Sequence, residues 1–340
     1  MGVSSRMRRA HAAVPACKPE RAPQVRAGEP PPWPWFGNQA ATTQRRADLR
    51  HLLGPLPTLE VPPTGELTHK QDLPFARVEH WRLTLNREEP VPALLLLPLD
   101  REPRGLVLYN HAHGNSFAVG KDELLRGRPA LPSPPYGEVL PALGFAVLAI
   151  DHWCFGERTH RSERALVKQL LWVGCTLWGY RVHDTLAAFD WLRTQPRFAG
   201  LPSAALGLSM GSTMAVWAAA LQPAIDSCIE MCGLAEFDAL IETGGHDLHG
   251  EYFFVAGLRR EFSAAEIAAL IAPRLHVSLV GHDDPLTPSE GVASIDRELC
   301  SAYHALGRPD ARQQRVFDCG HQETSQMREQ VLRALTSLPG

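Results

Sequence analysis

Three side chains in this sequence have the types and the order that nucleophilic acyl chemistry requires: a serine, then an acid, then a histidine. The serine is Ser209, inside Gly207-Leu208-Ser209-Met210-Gly211. A hydroxyl is a weak nucleophile at neutral pH unless a neighbouring base takes its proton, and the base needs an acid to hold its tautomer. A G-x-S-x-G pentapeptide alone occurs by chance. Here it follows the apolar run Ala204-Ala205-Leu206 and opens the small-residue stretch 210–215, so it reads as a sharp strand-to-helix turn. Glycine on both sides removes the Cβ atoms that such a turn has no room for. The turn lifts the serine Oγ to the carboxyl edge of a sheet and aims the Met210 N–H at a developing oxyanion. The bland alternative is a glycine-rich β–α turn around a buried serine.

The other two residues are expected just past later strands. After an apolar run at 275–280 comes Gly281-His282-Asp283-Asp284-Pro285, and Asp284 is the expected acid. Asp283 is its rival, because a one-residue slip in the loop exchanges them. After 313–317 comes Asp318-Cys319-Gly320-His321, and His321 is the expected base. The second oxyanion donor should come from the loop after an early strand, here His111-Ala112-His113-Gly114. The His113 N–H is the expected donor, Gly114 permits the turn, and the His111 side chain braces the loop. A competing reading makes His111 and His113 a metal-binding H-x-H pair, but no nearby acid or histidine completes a ligand set. No metal or other cofactor is expected.

Elements that could hold these residues alternate along the chain. Residues 76–85 and 91–97 read as a hairpin pair, and 106–109, 145–150, 204–208, 225–231, 275–280 and 313–317 as further strands. Helices are expected at 165–177, 182–192, 210–221, 263–270, 289–305 and 322–338, the fourth opened by a Ser263/Glu266 capping box. Apolar strands alternating with amphipathic helices predict an α/β fold: a mostly parallel sheet with helices on both faces. A short helix is expected from Arg46, ended by Gly54 and Pro55. Residues 1–45, with Pro30, Pro31, Pro32 and Pro34, read as a Pro/Arg-rich and poorly ordered tail, and 46–340 as one catalytic domain. Trp33, Trp35 and Phe36 are the exception in that tail, suited to anchoring it on the body or to an interaction.

Composition bounds the function classes. The chain has 340 residues, 44% hydrophobic and 21% charged, enough to bury a core without staples. A net charge of -3 supplies no field for nucleic acid. No apolar run reaches the roughly 18 residues of a membrane span. The seven cysteines contain no C-x-x-C pair and predict reduced thiols in a cytoplasmic protein. Arg8-Arg9 is followed by no apolar segment, so secretion is not expected; an Arg-containing organelle transit peptide is the weaker alternative.

The chain resembles the α/β-hydrolase superfamily and, within it, the bacterial dienelactone-hydrolase-like and acetyl-xylan-esterase-like serine esterases. The resemblance runs from about Arg46 onward. It rests on His111-Ala112-His113-Gly114, Asp151 with Phe155-Gly156-Glu157-Arg158, Gly207 to Gly211, Ile271-Ala272-Pro273-Arg274, and Gly281 through Pro288 with His321. Ala112 and Ser212 stand where these proteins usually carry glycine, and Ser209 rather than cysteine argues against a true dienelactone hydrolase. The resemblance implies cofactor-free hydrolysis of a small-molecule carboxylic ester. The Asp151 and Phe155 to Arg158 segment is expected to shape the loop beside the pocket. So is the insert at 234–261, too short for a large cap domain, or else 153–160 with Trp172 and Trp178 nearby. An open site would suit small, acetyl-like acyl groups. The alternatives are a serine peptidase or amidase of the same fold, and a non-catalytic binding relative.

Overall fold

In a computed structural model that describes residues 33–338, the alternating elements form one nine-stranded sheet. Its strands are β1 (Thr64–Leu73), β2 (Ala76–Thr84), β3 (Val91–Leu97), β4 (Gly105–Asn110), β5 (Phe145–Ile150), β6 (Ser203–Leu208), β7 (Ser227–Met231), β8 (Leu275–Gly281) and β9 (Arg312–Phe317). The order across the sheet is β1-β2-β3-β5-β4-β6-β7-β8-β9. The first three strands pair antiparallel, and β3 joins β5 antiparallel; every pairing from β5 to β9 is parallel. The parallel strands β4, β5, β6 and β7 are buried along their whole length, as two covered faces require.

The α-helices are α1 (Gln39–His51), α2 (Glu123–Arg126), α3 (Tyr136–Ala142), α4 (Glu163–Leu171), α5 (Leu177–Thr194), α6 (Met210–Leu221), α7 (Phe237–Thr243), α8 (Leu258–Glu261), α9 (Ala264–Ala269), α10 (Ser289–Ala305) and α11 (Ser325–Thr336). One apolar cluster packs α1, α5, α6, α9 and α10 on one face of the sheet, through residues such as Leu49, Val182, Met214, Ile267 and Leu299. A second packs α3 and α11 on the other, through Leu140, Met327 and Val331. This is the mostly parallel, doubly covered α/β-hydrolase architecture, without a large cap. No helix among the described residues is long and apolar enough to cross a membrane.

Three of the local differences from expectation have a visible cause. Strand β1 was not expected: its residues are polar on both sides and almost all exposed, because it is a sheet edge paired only to β2. Helix α1 begins at Gln39, not Arg46, because the Asn38 side chain caps the Ala41 N–H and Trp35 and Arg45 reach Glu266. The helix expected over 165–177 ends at Leu171. The chain turns through Gly174 at φ 74°, and Thr176 Oγ1 then caps the Gly179 N–H to start α5. Residues 1–32 of the expected tail lie outside the described residues. The capping box at Ser263 and Glu266 forms as read.

The approach of α6 to β4 decides where the nucleophile candidate sits. A Cβ on Gly211 would lie 1.9 Å from the Asn110 carbonyl oxygen, and one on Gly207 would lie 2.3 Å from the Gly211 carbonyl carbon. Backbone atoms cannot give way by that much. Gly211→Ala should therefore cost about 3 kcal/mol of stability through overpacking. Guanidinium unfolding checks this, and a loss below about 0.5 kcal/mol, the scale of a neutral surface change, would show that α6 slides freely on β4.

Candidate active site

Ser209 sits between β6 and α6 at φ 59° and ψ -122°, a strained geometry for a residue with a side chain. Its N–H donates to the Met231 carbonyl at 2.9 Å, which holds the strained residue against β7. The structure brings the three sequence-predicted residues together. His321 Nε2 lies 2.7 Å from Ser209 Oγ, and His321 Nδ1 lies 2.7 Å from Asp284 Oδ2. The Asp284 side chain is fully buried, and its Oδ1 accepts the Leu286 N–H at 2.9 Å. Asp283, the rival, is exposed, and the bond to His321 Nδ1 comes from Asp284. A buried carboxylate on Nδ1 leaves Nε2 as the nitrogen that takes the serine proton.

Met210, His113 and Gly114 line one cleft with Ser209 and His321, a recess of ≈ 590 Å³ including its open mouth. Met210 opens α6, so its N–H has no acceptor within the helix. The His111–Gly114 loop is clamped from two sides. On one side, Glu123 accepts the Ala112 N–H at 3.2 and 3.1 Å and the Tyr109 hydroxyl at 2.7 Å. Arg128 pairs with Glu123 and donates to the Ala112 carbonyl at 2.9 Å. Both clamp residues bond the Ala112 backbone, and its methyl is buried in the second apolar cluster. Gly114 is not free to vary: it has φ 50°, and a Cβ there would lie 2.2 Å from Arg128 Nη1.

On the other side, His113 Nδ1 accepts the Asn115 N–H at 3.1 Å and Nε2–H donates to Glu163 at 3.1 Å. Glu163 also pairs with Arg181 at 2.6 Å, and Arg181 itself is completely buried. Arg181 reaches Met210 Sδ at 3.3 Å and the Trp153 carbonyl at 2.8 Å. Its guanidinium lies 4.7 Å from the ring centre of Tyr252, on which the His113 ring stacks. Burial alone would raise the Glu163 carboxyl, but the His113 bond and the Arg181 charge outweigh it and hold it below its ordinary range.

These bonds also decide the metal question for the H-x-H pair. His111 donates from Nδ1 to the Ala112 carbonyl and accepts the His152 N–H at Nε2, so no lone pair remains. Burial pushes its pKa down to about 3, which keeps it neutral as a brace. Both nitrogens of His113 are committed as well. The one potential ligand cluster among the described residues is Asp284 and His321 with Cys232, at the relay itself.

Glu123, Arg128, Glu163 and Arg181 were not singled out from the sequence. Arg181 alone carries a local signal, an ionisable residue between Tyr180 and Val182 in α5; Glu123, Arg128 and Glu163 lie in polar stretches that give none. The Asp151 segment, expected to shape the loop beside the pocket, contributes no residue to the lining of the cleft. Asp151 is buried, accepts the Lys121 and Glu157 N–H groups at 2.8 and 3.1 Å, and pairs with Lys121 Nζ at 2.9 Å. Ser212, the other departure from glycine, donates to the buried Glu230 at 2.6 Å. Leu248, His249, Gly250, Tyr252 and Phe253 of the insert form a wall of the cleft. Trp172 does not belong there: it is 91% exposed on the turn after α4.

Glu163→Gln keeps the shape and removes the charge, leaving buried Arg181 unpaired at a cost of roughly 3–5 kcal/mol. The folded-state pKa of Glu163 is depressed, so its contribution is present above the ordinary value of 4.5 and lost as pH falls through the folded value. The stability gap between wild type and Glu163→Gln, measured by urea unfolding, should be full at pH 7 and narrow below pH 4.5. A gap that is constant with pH would remove the ionic role. Asp151→Asn, which removes the buried one of the two carboxylates close to Lys121 and leaves it Glu157, should cost less, about 1–3 kcal/mol in the same assay.

No family profile matches the chain. YtaP of Bacillus subtilis (strain 168), whose name assigns it to the hydrolases and to no substrate, is 39% identical over 293 residues, covering 86% of this chain and 98% of YtaP. Among solved structures, a glucuronoyl esterase from Solibacter usitatus superposes with a TM-score of 0.67 at 15% identity, over 89% of this chain and 94% of that one. An acetyl xylan esterase from Paenibacillus sp. R4 gives 0.58 at 17% identity, over 89% and 96%. Acetyl xylan esterase 1 from Thermoanaerobacterium sp. JW/SL YS485 gives 0.52 at 16% identity, over 90% and 94%. The structural likenesses establish the fold, and the sequence likeness establishes kinship: this chain belongs to the hydrolase family of YtaP, built on the α/β-hydrolase fold.

Proposed function

We propose that the protein is a serine esterase that cleaves small carboxylic esters, acetyl esters among them, through an acyl-enzyme. The observation that carries this reading is the continuous relay from Ser209 Oγ through His321 to Asp284, with both hydrogen bonds at 2.7 Å. Ser209 Oγ attacks the ester carbonyl as His321 Nε2 takes its proton. Asp284 holds the imidazole tautomer and stabilises the imidazolium. The carbonyl oxygen, now negative, is bound by the Met210 N–H and by the His113–Gly114 loop. As the C–O bond breaks, His321 returns the proton to the leaving alcohol. Water, deprotonated by His321, then attacks the acyl carbon and releases the acid and Ser209.

The reading draws further support from the ester hydrolases that share the fold. The described cysteines are all free thiols, which fits a reducing, cytoplasmic setting. On p-nitrophenyl acetate, Ser209→Ala should lower kcat by at least about 10⁴-fold, and Asp284→Asn by about 10⁴-fold with the fold intact. A fluorophosphonate should label Ser209 alone. Robust turnover surviving in Ser209→Ala would remove this serine as nucleophile, and a p-nitroanilide cleaved faster than the matching ester would replace the esterase reading with an amidase.

A further inference from the structure

Behind the cleft that holds Ser209 lies a second, narrow chamber, ≈ 430 Å³ when its open side is included, walled by Thr213, Val216, Trp217, Gly233, Ala235 and Phe253 among others. Thr213, Gly233 and Phe253 line both spaces, so the chamber begins one helical turn from the nucleophile. Thr213 brings the only hydroxyl in its walls, and that group is turned to the Gly233 carbonyl at 3.0 Å. The remaining side chains are hydrocarbon or aromatic, Trp178 among them, whose buried Nε1–H has no acceptor. On the far side, Phe237, Phe253 and Leu258 also border an apolar recess with Ile241, Phe254 and Val255 that opens at the surface.

The direction of the chamber decides which half of an ester it can take. The leaving alcohol must stand beside His321 Nε2 to receive its proton. His321 leads into α11, which packs on the other face of the sheet through Met327 and Val331. The chamber lies among α5, α6 and α9, on the opposite face, and His321 is not one of its walls. An alcohol placed in it would be carried away from the general acid. The acyl group, bonded to Ser209 Oγ in the intermediate, has no such constraint.

We infer that this chamber is an acyl subsite, and that the enzyme turns over apolar acyl groups longer than acetyl more efficiently than acetyl itself. The inference rests on the esterase reading and specifies its acyl class. Acetyl places one methyl at the entrance and leaves the chamber empty. Each further methylene buried there should raise kcat/KM by about fourfold. A carboxylate or sugar hydroxyl in the same place would find at most the Trp178 Nε1–H and would lose most of its hydration.

The test compares p-nitrophenyl acetate, butanoate and hexanoate on wild type, Ala235→Phe and Val216→Phe. Both substitutions fill the chamber and leave Ser209, His321, Asp284 and the oxyanion loop untouched. The quantity read is the ratio of kcat/KM for each longer ester to that for acetate, within one preparation, so a partly folded variant does not distort it. Wild type should favour butanoate over acetate by about 15-fold, two methylenes at fourfold each, and hexanoate at least as strongly. In the filled variants the ratios should fall to near one. A wild-type ratio of one or less, or ratios unmoved by both substitutions, would overturn the acyl subsite and leave the esterase reading standing. Failure of wild type to cleave any of the three esters, with no fluorophosphonate label on Ser209, would overturn both.

Discussion

The contact on which the site depends is the seating of α6 on the end of β4. Gly211 stands so close to the Asn110 carbonyl that no side chain fits between them. Asn110 is the last residue of β4, and the oxyanion loop begins at the next one. One backbone contact therefore fixes the nucleophile turn, the helix N-terminus and the start of the loop relative to one another. Ser209 takes its strained φ of 59° because β6 and α6 are both held and the turn between them has to close. The relay follows from the same frame: β8 and β9 are parallel neighbours beyond β7, so the loops after them open at the same edge as Ser209.

Around that frame, charge is buried in pairs. Glu123 with Arg128 and Glu163 with Arg181 flank the oxyanion loop, and Asp151 with Lys121 anchors the segment next to it. Such pairs contribute little net stability, because removing both charges from water offsets most of their attraction, whereas losing one partner is expensive. Their value here is geometric. Each acid also accepts a backbone N–H or a histidine N–H, so the loop cannot shift without leaving a charge unpaired. In the proposed mechanism the loop holds an oxyanion within a few tenths of an ångström, a task that needs such rigidity more than extra burial.

The insert between β7 and α9 faces two ways. Its glycine and aromatic residues, 248–253, wall the reactive cleft, while Phe237, Phe253 and Leu258 wall the apolar chamber behind it. Phe253 belongs to both. Glycine-rich and aromatic composition marked this stretch as a pocket candidate but carried no sign of which space it would enclose, because that depends on α5 (Leu177–Thr194) and α6 (Met210–Leu221), both well before it in the chain. The strands from β2 to β9 were readable because buried strands concentrate apolar residues in short runs. Strand β1 was not, because an edge strand with two solvated faces has no such pattern. The start of α1 was missed for a different reason: Trp35 and Arg45 gain their partner, Glu266, only when α9 is folded beside them.

By itself, the sequence determined the α/β architecture, the elbow at Ser209 and the expectation that Asp284 and His321 would meet it. These are local signals: a glycine-flanked turn, apolar runs, and residues placed just past strand ends. Tertiary structure alone decided that Asp284 rather than Asp283 faces His321, that the two histidines of the early loop are braces with no lone pair for a metal, and that Glu163 and Arg181 hold that loop in place. Those outcomes depend on which groups meet across strands and helices far apart in the chain, and on which of them burial leaves without water. The serine that began as a pentapeptide is thus a nucleophile candidate because of its neighbours in space, Asn110, Met231 and His321, none of which its own motif contains.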